Sequence, residues 1–152
     1  MDNLAIRTAT TTDAPELSAL IQRAVRVTNS PDYAPAIIEL ICSNFTSEKV
    51  IEKMAERDMF AATYDNTIVG TISLGQGKLH SLFVEPRLQR QGIGAGLVRH
   101  LEKHAAAAGL AVLWLSSSIT ARPFYEGFGY LLHKFEERRD GSTYLMSKNL
   151  IG

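Results

Sequence analysis

Residues Leu79 to Gly96 read LHSLFVEPRLQRQGIGAG. Strand-forming residues run to Val84, and Glu85-Pro86 ends them. Gln89-Arg90-Gln91-Gly92-Ile93-Gly94-Ala95-Gly96 then opens directly into an amphipathic helical pattern. A strand, a basic glycine-rich turn and a helix N-terminus together make an anion site. The first-turn N–H groups lack intrahelical partners, and the helix dipole adds partial positive charge there. Glycines let phosphate oxygens come close to the backbone. The stretch therefore predicts binding of a phosphorylated ligand.

The spacing removes two common phosphate loops. A dinucleotide fingerprint needs G-x-G-x-x-G, but Leu97 stands where the third glycine belongs, and Gly96 is one residue short. The acidic ribose ligand expected about 20 residues on is also missing, because that region reads Ala111-Val112-Leu113-Trp114. A Walker A loop needs Gly-Lys-Ser/Thr, and the chain has no such triplet. A nucleotide hydrolase or a dehydrogenase is thereby disfavoured. What remains is Q-x-x-G-x-G followed by a small residue, which resembles the acetyl-CoA-binding loop of the GNAT N-acetyltransferases.

A later segment resembles a second motif of that family, A-x-x-F-Y-x-x-x-G-F/Y. It is Ala121-Arg122-Pro123-Phe124-Tyr125-Glu126-Gly127-Phe128-Gly129-Tyr130. One expected helix (92–108) and one expected strand (110–116) fill the interval, as they do in that family. The resemblance is clearest over residues 60–135 and weakest over 1–59.

Composition bounds the remaining choices. The 152 residues suit one domain, 1–152, with a real core. Charged residues make up 21% and the net charge is zero, so the chain as a whole advertises neither nucleic acid nor an anionic membrane. No apolar run reaches the ~18 residues of a membrane helix. The start, MDNLAIRTA, lacks the features of a signal peptide. Cys42 is the single cysteine and reads as a buried structural thiol. These features favour a cytoplasmic protein.

The periodicities predict an α/β (α+β) chain. Strands are expected at 4–9, 59–64, 67–74, 78–84, 110–116, 129–136 and 142–149, with Asp65-Asn66 and Asp140-Gly141 in hairpin turns. Asp13-Ala14-Pro15-Glu16 starts a helix that Ser30-Pro31 breaks. Short helices follow at 33–42 and 47–57, the latter capped by Thr46 or Ser47, then 92–108, stopped by Gly109, and 121–127. Residues 110–116 form a near-continuous apolar run, the mark of a strand covered on both faces. The expected architecture is a mixed sheet with helices on both faces. The resemblance implies about seven strands splayed in the middle. Pantetheine would lie in the split against the edge of strand 78–84, at Leu82, Phe83 and Val84.

Moving an acetyl group from a thioester to an amine makes three demands. The amine must lose a proton, the developing oxyanion needs a donor, and the departing thiolate needs a proton or hydrogen bond. The resemblance places Tyr125 beside the CoA sulfur, where its hydroxyl can donate; otherwise it is a core aromatic beside Phe124 and Phe128. His80 is the candidate base, with a reference pKa of about 6.5. Strand alternation puts Lys78, His80, Leu82 and Val84 on one face. The segment also resembles L-H-A-L-A-V of the arylalkylamine N-acetyltransferases, whose histidine at this place serves proton removal. Their second histidine is Lys78 here. Glu85 ranks behind His80 as a base. The backbone N–H of Val84 or a near neighbour is the candidate oxyanion donor.

The resemblance assigns CoA binding to Gln89, Arg90, Gln91, Gly92, Ile93, Gly94 and Ala95, and to Ala121, Phe124 and Tyr125. Arg87 and Arg122 are further partners for its phosphates, or simply surface charges. Ser118 stands where many relatives carry an asparagine that binds the pantetheine arm. Ser116-Ser117-Ser118 lacks a nucleophile elbow and reads as a polar strand end. His100 and His104 share a metal-compatible spacing but no third ligand is evident, so no metal is expected.

The implied activity is acetyl-CoA-dependent N-acetylation of a primary amine by direct attack, with acetyl-CoA as cosubstrate. The alternative is a non-catalytic acetyl-CoA-binding module. The acceptor would be bounded by residues 13–57 and the closing hairpin, where Glu39, Glu48 and Glu52 are candidate attractors of a cationic amine. Other expected partners are none, apart from a possible second copy in a homodimer.

Overall fold

The structure, a computed structural model, describes residues 3–139 and 141–151. Seven strands form one sheet in the order β1-β2-β3-β4-β5-β7-β6. They are β1 (Leu4–Thr8), β2 (Asp58–Tyr64), β3 (Thr67–Gly75), β4 (Lys78–Val84), β5 (Val112–Ser118), β6 (Leu131–Glu136) and β7 (Thr143–Asn149). All pairings are antiparallel except β4 with β5. That parallel pair is short. Only Lys78 with Trp114 and Leu79 with Leu115 are in register, and beyond them the strands part.

Helices α1 (Ala14–Ala24), α2 (Pro35–Ser43) and α3 (Ser47–Glu56) cover one face, while α4 (Ile93–Ala107) and α5 (Arg122–Gly127) cover the other. Strand alternation divides the core accordingly. In β2, Met59 and Ala61 join Leu17, Leu20, Ile21 and Val50 under α1–α3. Phe60 and Ala62 join Leu97, Leu101 and Ile72 under α4. Pro35 is the first residue of α2, where its missing N–H costs nothing. Thr46 caps α3 by accepting the Lys49 N–H at 3.3 Å. Asp65 and Asn66 both take positive φ, as the tight β2–β3 turn requires.

Three expectations need correction. First, α1 does not run on to Ser30. It ends at Ala24 and widens into a π-helical turn over Val25–Asn29, a form that opens the backbone and is common at functional sites. Second, β5 is not covered equally on both faces. Leu113, Leu115 and Ser117 are buried, while the alternate residues are half-buried, because the β6–β7 hairpin leaves Trp114 against the His133 ring at the open face. Third, β4 does not alternate evenly. Between Thr71–Phe83 and Ser73–His80 its register against β3 shifts by one residue. Ser81 and Leu82 thus oppose Ile72 alone, and Ser81 takes φ +56°. This bulge inverts the strand's parity. Leu82 and Val84 share the α4-side core with Leu79, and Phe83 turns to the other face against Phe45. His80 is therefore on the face opposite Leu82 and Val84. Of the expected Asp140-Gly141 turn, Asp140 lies outside the described residues.

Candidate active site

Where β4 and β5 part, a cavity of about 640 Å³ opens between them. Its walls combine the diverging strand ends, Ser81–Val84 and Ser116–Ser118, with the glycine loop and α5.

The glycine loop is set by close packing. A Cβ on Gly70 of β3 would come within 2.9 Å of Leu97 Cδ1 and 3.0 Å of Ile93 Cγ2. Only a glycine there lets the first turn of α4 lie directly on the sheet. Gly92 caps the helix at φ +85°, with no atom within 4 Å of where its Cβ would be. The first intrahelical bond runs from the Gly96 N–H to the Gly92 carbonyl at 3.0 Å. The N–H groups of Ile93, Gly94 and Ala95 precede it and have no intrahelical acceptor. The loop thus combines open space, free donors and the positive end of the helix dipole, which suits phosphate.

Of the loop residues singled out in the sequence, Gln89, Arg90, Gly92, Ile93, Gly94 and Ala95 line the cavity, and Gln91 does not. Gln89 reaches back to donate to the Val84 carbonyl at 3.4 Å. Arg90 turns at φ +66°. Arg87 is instead drawn to Glu85, with Nε 3.2 Å from Oε1. Arg122 stacks over the Tyr144 ring at 4.6 Å.

The β4 edge has a donor for the cavity. The Glu85 N–H is used by the Val69 carbonyl of β3 at 2.8 Å. Successive N–H groups alternate sides along a strand, so the Val84 N–H points the other way, into the split. Across the opening, Ser118 Oγ accepts the Ala121 N–H at 3.1 Å, which leaves its own proton free to donate. Ser117 is spent on the Ser118 carbonyl at 2.7 Å.

Tyr125 lines the cavity and is buried. Its ring packs edge-on against Phe124 and Tyr130. Its hydroxyl makes no hydrogen bond among the described residues. Burial pushes its pKa well above the ordinary tyrosine value, so it keeps its proton through neutral pH. Ala121 and Phe124 line the cavity beside it.

His80 does not line the cavity. The Ser81 bulge sends it to the Gly75 carbonyl, 3.2 Å from Nε2. Burial and the nearby Arg57 charge lower its pKa to about 4, against the raising effect of that backbone contact. It holds almost no proton at neutral pH, and its ring lies outside the lining of the split. Glu85 is buried and also lies outside the lining. Burial raises its pKa, but hydrogen bonds from Arg23 (2.7 Å) and Arg87 (3.2 Å) outweigh this and hold the carboxyl below its usual range. A carboxylate so held is a weak base.

The other candidates sit elsewhere. Cys42 is buried near the Gln22 carbonyl, its pKa raised by burial. His100 and His104 pack edge-on against Phe60, and His104 Nε2 lies 2.9 Å from Asp58 Oδ2. Among the described residues, no cluster of three or more His, Cys, Asp or Glu side chains has metal-binding geometry, and no helix is long and apolar enough to cross a membrane.

For the rest of the wall, sequence reasoning gave the span 13–57 and the closing hairpin but none of the individual lining residues. Val25, Thr28 and Asn29 from the π-helical turn, Tyr33, and Thr120 all line the cavity. The only sequence signal was the polar Thr28-Asn29-Ser30 run that interrupts α1's apolar period.

Comparison with known proteins agrees with this architecture. Residues 29–150 match the acetyltransferase (GNAT) domain family. The uncharacterized N-acetyltransferase YafP of Escherichia coli is 32% identical over 130 residues, which span 86% of this chain and 83% of that protein. A GNAT-family crystal structure from Rhodopseudomonas palustris superposes with a TM-score of 0.92 at 22% identity, covering 98% of this chain and 97% of that one. The PaiA N-acetyltransferase of Thermoplasma acidophilum, solved in complex with coenzyme A, superposes at 0.82 with 22% identity, covering 96% and 98%. The likeness to these two structures is one of fold. With its family match across residues 29–150 and its splayed seven-stranded sheet, this chain belongs to the GNAT acetyltransferase family.

Proposed function

We propose that the protein is an N-acetyltransferase that uses acetyl-CoA and acylates a primary amine by direct attack. One observation carries the reading: the open Gly92 loop and Tyr125, whose hydroxyl has no hydrogen-bond partner among the described residues, line the same cavity at the β4–β5 split. The family's acetyl-CoA dependence and the coenzyme A in the PaiA structure support it.

Phosphates would sit on the Ile93, Gly94 and Ala95 N–H groups, with Arg90 adding charge. The pantetheine arm would follow the free edge of β4 and meet Ser118 opposite. Bound there, acetyl-CoA supplies an acyl group on a good leaving sulfur. As the new C–N bond forms, the Val84 N–H faces the oxygen that gains negative charge. As the C–S bond breaks, the Tyr125 O–H gives the sulfur its proton and is reprotonated by the water that takes up the nitrogen's proton. The attacking nitrogen's proton passes to water, because no imidazole or carboxylate side chain lines the cavity among the described residues.

A panel of amines with acetyl-CoA, read by thiol release, tests the reading. Turnover with at least one amine supports it. Tight acetyl-CoA binding without transfer to any amine identifies a non-catalytic acetyl-CoA-binding module instead.

A further inference from the structure

The cavity has a second half, away from the glycine loop, between the α1–α2 segment and the β6–β7 connection. Its floor is apolar, made by Ala24, Val25, Ile41 and Phe45. Thr28, Asn29 and Thr120 form a neutral rim. No carboxylate lines it among the described residues. Glu39, Glu48 and Glu52, the sequence's candidates for attracting a cationic amine, are not in the wall; Glu39 pairs with Arg26 at 3.0 Å. Asp32, near the rim, accepts the Thr120 hydroxyl at 2.7 Å. Among the described residues, the cationic side chains lining the cavity are Arg90, in the glycine loop, and Arg138, on the β6–β7 connection.

Arg138 sits on a braced connection. The Tyr33 hydroxyl donates to the Ser142 carbonyl at 2.8 Å and accepts the Ile119 N–H at 2.9 Å. One side chain thus ties α2's entry to both loops at the mouth. Gly141 packs where its Cβ would touch Ile37, Ile41 and Tyr33 at 3.4–3.5 Å. Arg138 itself makes one side-chain contact among the described residues, Nη2 to Glu136 Oε1 at 3.4 Å. The same Glu136 oxygen, which pairs with Arg138, also accepts the Ser116 and Thr143 hydroxyls at 3.2 and 3.3 Å, so Arg138 is not its sole partner. The guanidinium has five N–H donors in a planar fork, so most remain for an anion.

We propose that the acceptor is a free amino acid with an apolar side chain, its carboxylate held by Arg138. This rests on the acetyl-transfer reading and names its substrate class. The apolar floor takes the side chain, the guanidinium takes both carboxylate oxygens, and the α-amine is left to face the Tyr125 half. A polyamine would bring charges to a wall that, among the described residues, offers no carboxylate to meet them.

The test compares thiol release with L-leucine and L-phenylalanine against leucinamide, phenethylamine and spermidine, each rate corrected to its free-base fraction. The free amino acids should lead in kcat/KM by about tenfold or more. Arg138→Gln should raise the KM for leucine about 10- to 100-fold, the span of a lost charged hydrogen bond, and leave the KM for acetyl-CoA unchanged. Arg138→Lys should recover part of the loss, and the leucine–leucinamide difference should vanish only in the glutamine variant. Faster turnover of spermidine or of the amides, or an Arg138→Gln effect equal on acid and amide, overturns the acceptor class and leaves the acetyltransferase reading intact. No thiol release with any amine, while acetyl-CoA still binds, overturns both.

Discussion

Leu79 and Leu115 form the last parallel pair between β4 and β5, and beyond them Ser81–Val84 and Ser116–Ser118 line one cavity. The bulge at Ser81 comes two residues after that pair. It frees the far end of β4 to diverge while β3 still holds it through Val84 and Glu85. The split and the inverted parity of β4 thus share one local cause. It brings the Val84 N–H into the cavity and takes His80 out of it.

Tyr125→Phe removes only the hydroxyl from a buried ring. The kcat for acetyl transfer should fall about 10²- to 10⁴-fold, the usual contribution of a general acid, while the Kd for CoA stays within about twofold of wild type. Stopped-flow thiol release with chemistry rate-limiting reads the first, and calorimetry the second. An unchanged kcat takes Tyr125 out of the chemistry.

His80→Gln should leave the pH–rate profile of kcat/KM superposed on wild type between pH 5.5 and 9 on the present account. The sequence alone suggests the opposite, a flattened ascending limb. The geometry reverses that expectation, because a group with a pKa of about 4 outside the cavity does not titrate in this range. The ascending limb should instead follow the pKa of each acceptor amine. A limb near pH 6–7 that disappears in the variant would restore His80 as the base.

Asp13 anchors the start of α1. It accepts the Thr10 N–H at 2.8 Å and a forked pair from Arg7 at 2.8 and 2.9 Å. Hydrogen bonding from Arg7 is the largest influence on its carboxyl, and despite partial burial the pKa falls to about 2 from 3.8. A depressed acid stabilises the fold above its unfolded pKa, and that stability is lost as pH falls through the folded value. Asp13→Asn should therefore cost about 1 kcal/mol at pH 7, the size of a partly exposed charged hydrogen bond. The difference from wild type should shrink between pH 4 and pH 2. Urea melts at several pH values measure it, and a difference independent of pH contradicts the assignment.

The glycine loop and the Tyr125 segment were legible because their chemistry restricts residue type. A phosphate cradle that turns at φ +85° and keeps its backbone open to a ligand calls for Gly92. The hairpin at Asp65-Asn66 announced itself for the same reason. The Ser81 bulge left no such mark. Serine at positive φ is uncommon, and the register that imposes it is decided by pairing with Ile72 on another strand. The π-helical turn at Val25–Asn29 was nearly as hidden, since the polar Thr28-Asn29-Ser30 run interrupts α1's apolar period without distinguishing a widened turn from an ordinary helix end. The acceptor wall was legible only as the span 13–57 and the closing hairpin; its individual residues, from the α1–α2 segment, Thr120 and Arg138, are linked by no local pattern.

Calorimetric titration of acetyl-CoA into wild-type protein and Gly92→Glu tests the central claim most directly. The substitution puts a carboxylate and a strained side chain at φ +85° in the phosphate cradle. It should weaken acetyl-CoA binding by about tenfold or more, the cost of losing charge-assisted contacts, while far-UV circular dichroism stays that of wild type. Wild-type affinity in the folded variant would contradict the assignment of this loop, and with it the acetyl-CoA site.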